Sequence, residues 1–242
     1  MKKNILIVGA IVALILFLDQ FLKVYIKTNF LPGQEKPLIG SWLVLDYIEN
    51  PGMAFGTTFG SKMWHKLALS IFRIIAISGI AYYWFSQAKK GAKREFLIAI
   101  GLILAGATGN LIDSMFYDFI FPYDPCLSFN FLEGSGIKTK CGMFGVYETR
   151  HTGFLLANVV DMFKFQATWP TWIPIIGGWE VFPAIWNVAD FSISSGIILI
   201  FIRQKHYFPK VETLQYSDTS ENSNDTIVEE DQSENSIEKE AK

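Results

Sequence analysis

The stretch FPAIWNVADFSISSGIILIF, residues 182–201, decides how this chain is read. Its length and apolar character suit a helix crossing a membrane from about Ala184 to Ile202. Asn187 and Asp190 nevertheless sit inside it, three residues apart and so on one helical face. A carboxylate at mid-bilayer costs roughly 3 kcal/mol on insertion scales, so an ionisable residue there is a functional hypothesis by default.

Working outward, three further blocks are long enough to span a bilayer, which takes roughly 20 apolar residues. They cover about residues 4–26, 63–87 and 96–117. Half of the 242 residues are hydrophobic, 18% are charged and the mean hydropathy is +0.27, which is too apolar for an ordinary soluble domain. The expected fold is an all-α transmembrane bundle of four helices, with a small external β-rich cradle and an extended external loop. The first block follows Met-Lys-Lys as a secretory signal would. Its apolar run continues through Leu18 into Asp19, Gln20 and Lys23 with no small-residue cleavage pattern, so it reads as an uncleaved span.

Lys2 and Lys3, the group Lys89, Lys90, Lys93 and Arg94, and the pair Arg203 and Lys205 all fall on one side if both termini are cytoplasmic. Segments 27–62 and 118–183 are then external. The net charge of −2 hides an asymmetry: residues 212–242 hold ten acids against Lys239 and Lys242, giving −8, and the rest of the chain carries +6. Low hydrophobicity with high charge predicts a disordered, solvated tail over 209–242. Cys126 and Cys141 both lie in the second external segment, where an oxidising compartment permits a disulfide; two free thiols are the other reading. His65, His151 and His206 have no metal-ligand spacing. No metal, other cofactor or nucleic-acid partner is expected.

In the first external segment, LIGSWLVLDYIENPGMAFGTTFG favours strands broken by the turn signal Asn50-Pro51-Gly52, a small sheet on the membrane surface. In the second, ATWPTWIPIIGGWEVFP supplies Trp169, Trp172 and Trp179, with Trp186 just beyond, suited to the membrane interface.

The intramembrane polar groups fall into three sets: Asp19 and Lys23 in span one, Asn110 and Asp113 in span three, and Asn187 and Asp190 in span four. At about 1.5 Å per residue, Asp19, Asp113 and Asp190 lie about 10, 6 and 9 Å from the outer ends of their spans. Three helices thus place carboxylates at one depth, which structural scatter does not require. Each set also has an ordinary reading: an ion pair for Asp19 and Lys23, interhelical hydrogen bonds for Asn110 and Asp113, and a turn residue for Asn50. No G-x-S-x-G elbow is present, and Ser192, Ser194 and Ser195 have no histidine nearby. Aspartates are the abundant reactive groups, and two carboxylates brought close share a proton. Such a pair activates water and polarises a carbonyl, which is aspartyl peptide hydrolysis.

The segments DQFLK (19–23), NPGMAFG (50–56), GNLID (109–113), VVDMF (159–163) and WNVAD (186–190), in that order, resemble the bacterial lipoprotein signal peptidase (signal peptidase II) family over roughly residues 1–205. The resemblance implies an aspartyl endopeptidase of the bacterial inner membrane. It would remove signal peptides from diacylglyceryl-modified prolipoproteins by cutting just before the lipidated cysteine. It implies Asp161 and Asp190 as the catalytic pair; Asp161 taken alone is an ordinary loop aspartate. Asp19, Lys23, Asn50, Gly52, Asn110, Asp113 and Asn187 are implied as supporting or substrate-binding residues. Prolipoprotein and membrane lipid are the expected partners of a monomer, and a short external helix is part of the implied fold.

Two departures stand out. Ser114 occupies the position where the family motif usually has Arg, and Arg150 or Lys164 are expected to stand in. Asp113 and Asp161 are also 48 positions apart, so an inserted lobe or lid is expected within 114–158. A small ion or proton transporter, or an inactive lipoprotein-binding relative, is the competing reading.

Overall fold

Unbroken apolar runs make the helices of this chain, and the polar residues inside them select the neighbours. The computed structural model describes residues 2–51 and 60–208; Gly52 and the acidic tail lie outside the described residues. Helices α1 (Lys2–Asn29), α2 (Met63–Lys89) and α3 (Arg94–Ile120) are each long and apolar enough to cross a membrane. The twenty-residue α4 (Val188–Tyr207) lies along α3, which also packs against α1 and α2. Two glycines permit the α3–α4 approach. A Cβ on Gly106 would stand 2.2 Å from the Ala189 carbonyl oxygen, and one on Gly196 would stand 2.5 Å from that of Ala99.

The fourth helix begins later than its hydropathy indicates. Residues before it stay extended because Trp186 pairs with Phe163 of a neighbouring strand, and Asn187 (φ −130, ψ 179) caps the helix from outside. Asn187 and Asp190 therefore do not share an interior helical face: one precedes the helix and the other sits in its first turn.

Strands β1 (Glu35–Ile39), β2 (Leu43–Asn50) and β5 (Val159–Phe165) form an antiparallel sheet in the order β1–β2–β5. The first external segment supplies strands as its aromatic and β-branched residues predict, while β5 comes from the second segment, where Asp161 reads by sequence as a loop aspartate. The β2–β5 register shifts between Leu45 and Ile48, a bulge that comes just before the Ile48–Asp161 pair. Bulges of this kind re-aim side chains beside functional sites. Ile26, Phe30, Tyr47, Tyr117, Val160 and Met162 bury the sheet against the ends of α1 and α3. A second cluster, built on Val8, Trp84, Phe96 and Leu97, closes the opposite end of the helices.

The insertion forms a lobe after α3, which runs on to Ile120. Its short hairpin, β3 (Lys138–Lys140) with β4 (Val146–Glu148), stacks Phe131 on Tyr147 at 4.3 Å, and Cys126 is bonded to Cys141. Two three-residue 3-10 turns, Ser128–Asn130 and Gly142–Phe144, are the helical features of the described interhelical segments, in place of the short external helix the family resemblance implies.

Candidate active site

The site is assembled where α1, α3, α4 and β5 meet, and asparagines join its parts. Asp161 is the third residue of β5 and 2% exposed. One carboxylate oxygen accepts from Asn187 Nδ2 at 2.6 Å, the other from Asn50 Nδ2 at 3.1 Å. Asn50 reaches it because the register pairs Ile48 with Asp161 and Asn50 with Val159, making Asn50 a diagonal cross-strand neighbour on the same face. Burial pushes the Asp161 carboxyl above the ordinary carboxylate range, and the negative charge of Asp190 adds to the rise. Asn50, Lys23 and Asn187 oppose it.

Asp190 stands at the third position of α4. Its backbone N–H donates to the Asn187 side-chain oxygen at 2.9 Å, an N-cap bond, and its carboxylate accepts from Asn110 Nδ2 at 2.8 Å. Asn187 thus links the two aspartates: its amide nitrogen holds the carboxylate of one and its oxygen fixes the backbone of the other. The same nitrogen lies 3.2 Å from both Asn110 Oδ1 and the Val160 carbonyl.

Beneath the pair, Lys23 spends its three donors on Asp19 (2.9 Å), Asp113 (2.8 Å) and Asn110 Oδ1 (2.8 Å), and it is fully buried. A buried ammonium is tolerable when its partners satisfy it in this way. Both carboxylates also position the site. Asp19 accepts from the Ala189 N–H at 2.9 Å, tying α1 to the start of α4, and Asp113 accepts from the Val160 N–H at 3.3 Å, tying α3 to β5 beside Asp161. Gly109 makes room, since a Cβ there would fall 2.6 Å from Asp19 Oδ2.

Of the residues singled out in the sequence, Asp19, Lys23, Asn50, Asn110, Asp113, Asp161, Asn187 and Asp190 enter this one network; Gly52 lies outside the described residues. The expected substitutes for the motif arginine do not enter it. Arg150 is bound bidentately to Asp118 (2.9 and 2.7 Å) and pins the lobe to the end of α3, while Lys164 pairs with Glu35 at 2.8 Å on the sheet edge. Short-range pairing within the lobe and sheet captures both cations before they reach the site. The guanidinium bonded to Ser114 is that of Arg73, from α2, at 3.3 Å.

Gln20 also belongs to the network. It donates to Asp19 (3.1 Å), Asp113 (2.9 Å) and the Gly109 carbonyl (3.2 Å), and it accepts from the Tyr117 hydroxyl. Both are polar groups in otherwise apolar spans, which is the signal the sequence carries for them.

The family model described as signal peptidase (SPase) II matches residues 11–205. The chain belongs to the signal peptidase II family. A lipoprotein signal peptidase of Porphyromonas gingivalis is 38% identical over 209 residues, 81% of each chain. One from Amoebophilus asiaticus is 32% identical over 216 residues, 85% of this chain and 80% of the relative. Two solved bacterial membrane enzymes align at TM-scores of 0.50 and 0.51. They are 23% and 22% identical and cover 84% and 87% of this chain and 93% and 94% of their own; that likeness shows the fold. The signal peptidase II chain described here is accordingly a membrane protease, with the aspartate-rich network at the helix ends as its candidate centre.

Proposed function

We propose that this signal peptidase II is an aspartyl endopeptidase, with Asp161 and Asp190 as its catalytic pair, that cuts diacylglyceryl-modified prolipoproteins just before the lipidated cysteine. The observation that carries this reading is the double grip of Asn187, which holds the Asp161 carboxylate at 2.6 Å and the Asp190 N–H at 2.9 Å and so brings acids from a strand and a helix to one place.

The chemistry follows from sharing one proton. Burial favours the protonated form of Asp161, and the positive end of α4 lies beside the carboxylate of Asp190. The ionised member takes a proton from a water, whose oxygen bonds to the scissile carbonyl carbon. The protonated member gives its proton to the carbonyl oxygen, forming a tetrahedral diol. Collapse breaks the C–N bond: the proton taken from the water passes to the leaving nitrogen while a diol hydroxyl returns its proton to the other carboxylate. The products are a carboxylic acid and a free amine, and the pair again holds one proton. No metal or cofactor is required.

In this reading the chain crosses the membrane four times with both termini cytoplasmic, and the pair sits near the outer leaflet, where the diacylglyceryl anchor of a substrate parks the scissile bond. The exposed Trp172 and Trp179 support that placement, since such side chains settle at the headgroup level. One chain supplies both aspartates, which supports a monomer. A transport path finds no such support: Asp19, Lys23 and Asp113 close on one another as a buried cluster.

The test is gel-shift cleavage of a diacylglyceryl-prolipoprotein in detergent by wild type, Asp161→Asn and Asp190→Asn. Wild type cuts before the lipidated cysteine, and both variants are folded and silent. Near-wild-type cleavage by either variant removes that aspartate from the pair.

A further inference from the structure

Helix α2 carries a polar stripe on an apolar span: Lys66, Ser70 and Arg73, spaced four and three apart on one face. Each makes a bond toward the site. Lys66 donates to Asn158 Oδ1 at 2.6 Å, Ser70 to the Leu155 carbonyl at 2.8 Å, and Arg73 to Ser114 Oγ at 3.3 Å. Residues 155–158 lead directly into β5 and Asp161. Leu155 holds a left-handed backbone there (φ +68), a conformation that costs a bulky residue energy and persists when its surroundings over-determine it. The first two bonds therefore brace the approach to Asp161, and the third reaches the residue next to Asp113.

Charge explains why the third is a guanidinium. Four aspartates converge on the site, and Lys23 has all three donors committed to Asp19, Asp113 and Asn110. Arg73 is half-buried, and Asp190, Asp113 and Asp161 are the acids that attract it. An arginine stays charged in nearly any surroundings, which suits it to a fixed field more than to proton transfer. We infer that Arg73 is a positioning residue for the aspartyl pair: anchored on Ser114, its guanidinium adds to the positive field of Lys23 and so shifts the pH range in which the pair holds one proton. The inference rests on the assignment of Asp161 and Asp190 made above. The other charges facing the pair are Asp19 and Lys23 from α1, Asp113 from α3, and Lys66 two turns along α2. None of these residues is substituted in the variants below.

The experiment is the pH–rate profile of kcat/KM for prolipoprotein cleavage by wild type, Arg73→Gln, Arg73→Lys and the exchange R73S/S114R. The exchange carries the guanidinium from the other side of the same hydrogen bond. Removing a cation that interacts with a carboxylate pair moves the pair's titration upward, here by about one pH unit. Arg73→Gln therefore shifts the profile to higher pH and loses about tenfold on the acidic limb opposed by that shift, since one unit is a factor of ten. Arg73→Lys and the exchange variant keep the wild-type profile. An unmoved profile in Arg73→Gln, whether or not the rate falls, overturns the inference, as does an exchange variant that cleaves with a shifted profile. Cleavage by Asp161→Asn or Asp190→Asn instead defeats the assignment of the pair, a separate result.

Discussion

The tight approach of α3 to α4 at Gly106 supports a quantitative prediction about Gly106→Ala. The new Cβ would lie 2.2 Å from the Ala189 carbonyl oxygen and 2.7 Å from Ile193 Cγ1, against the 3.0 Å that real Cβ contacts essentially never undercut. Backbone cannot rotate aside as a long side chain does, so the first turn of α4 retreats from α3 by about 1 Å. Ala189 donates to Asp19 at 2.9 Å, and the next residue, Asp190, accepts from Asn110 at 2.8 Å. A stretch of about 1 Å takes both beyond hydrogen-bonding range. Misplacement of a reacting group on that scale costs about 100-fold in rate, and overpacking costs about 1–3 kcal/mol in stability. The control is Gly79→Ala on α2, where nothing lies within 4 Å of the added Cβ. Initial rates by gel shift at saturating prolipoprotein, beside thermal unfolding in detergent, read both effects. Gly106→Ala cutting within twofold of Gly79→Ala would refute the claim that the α3–α4 contact sets the position of Asp190.

Two further perturbations have definite signs. Lys23→Met leaves the Asp19 and Asp113 carboxylates buried without their cation, and loss of one partner from a buried pair costs roughly 3–5 kcal/mol, so a large drop in thermal midpoint is expected; a loss below about 1 kcal/mol would show that water already reaches the cluster. Asp161→Asn acts through linkage. The native pKa is raised above the unfolded value of about 4, so between that value and the raised native one the native state binds the extra proton and wild-type stability falls as pH rises. The variant lacks that slope, and the midpoint of Asp161→Asn minus that of wild type grows from pH 5 to pH 8; a difference independent of pH contradicts the raised carboxyl.

How far the sequence reaches can be judged residue by residue. Asp19 and Lys23 sit four apart on one helix, and their pairing follows from helical geometry alone; so do the three long apolar spans and the strand character around Tyr47. Helix α4 starts later than hydropathy indicates, since hydropathy registers apolar content and is blind to the pairing of Trp186 with Phe163 that keeps the preceding residues extended. Asp161 had no distinction of its own in the sequence, because its importance comes from an opposite strand and a distant helix cap.

The sequence by itself determined which segments could enter a membrane and which polar groups they carried there, since both depend on composition and on periodicity within one segment. Only the tertiary structure decided which cation serves which acid. Arg150 and Lys164 were taken by Asp118 and Glu35, leaving Arg73 to bond Ser114. Charge attraction acts through space and favours the nearest desolvated partner, and nearness is settled only when the helices and the sheet have packed.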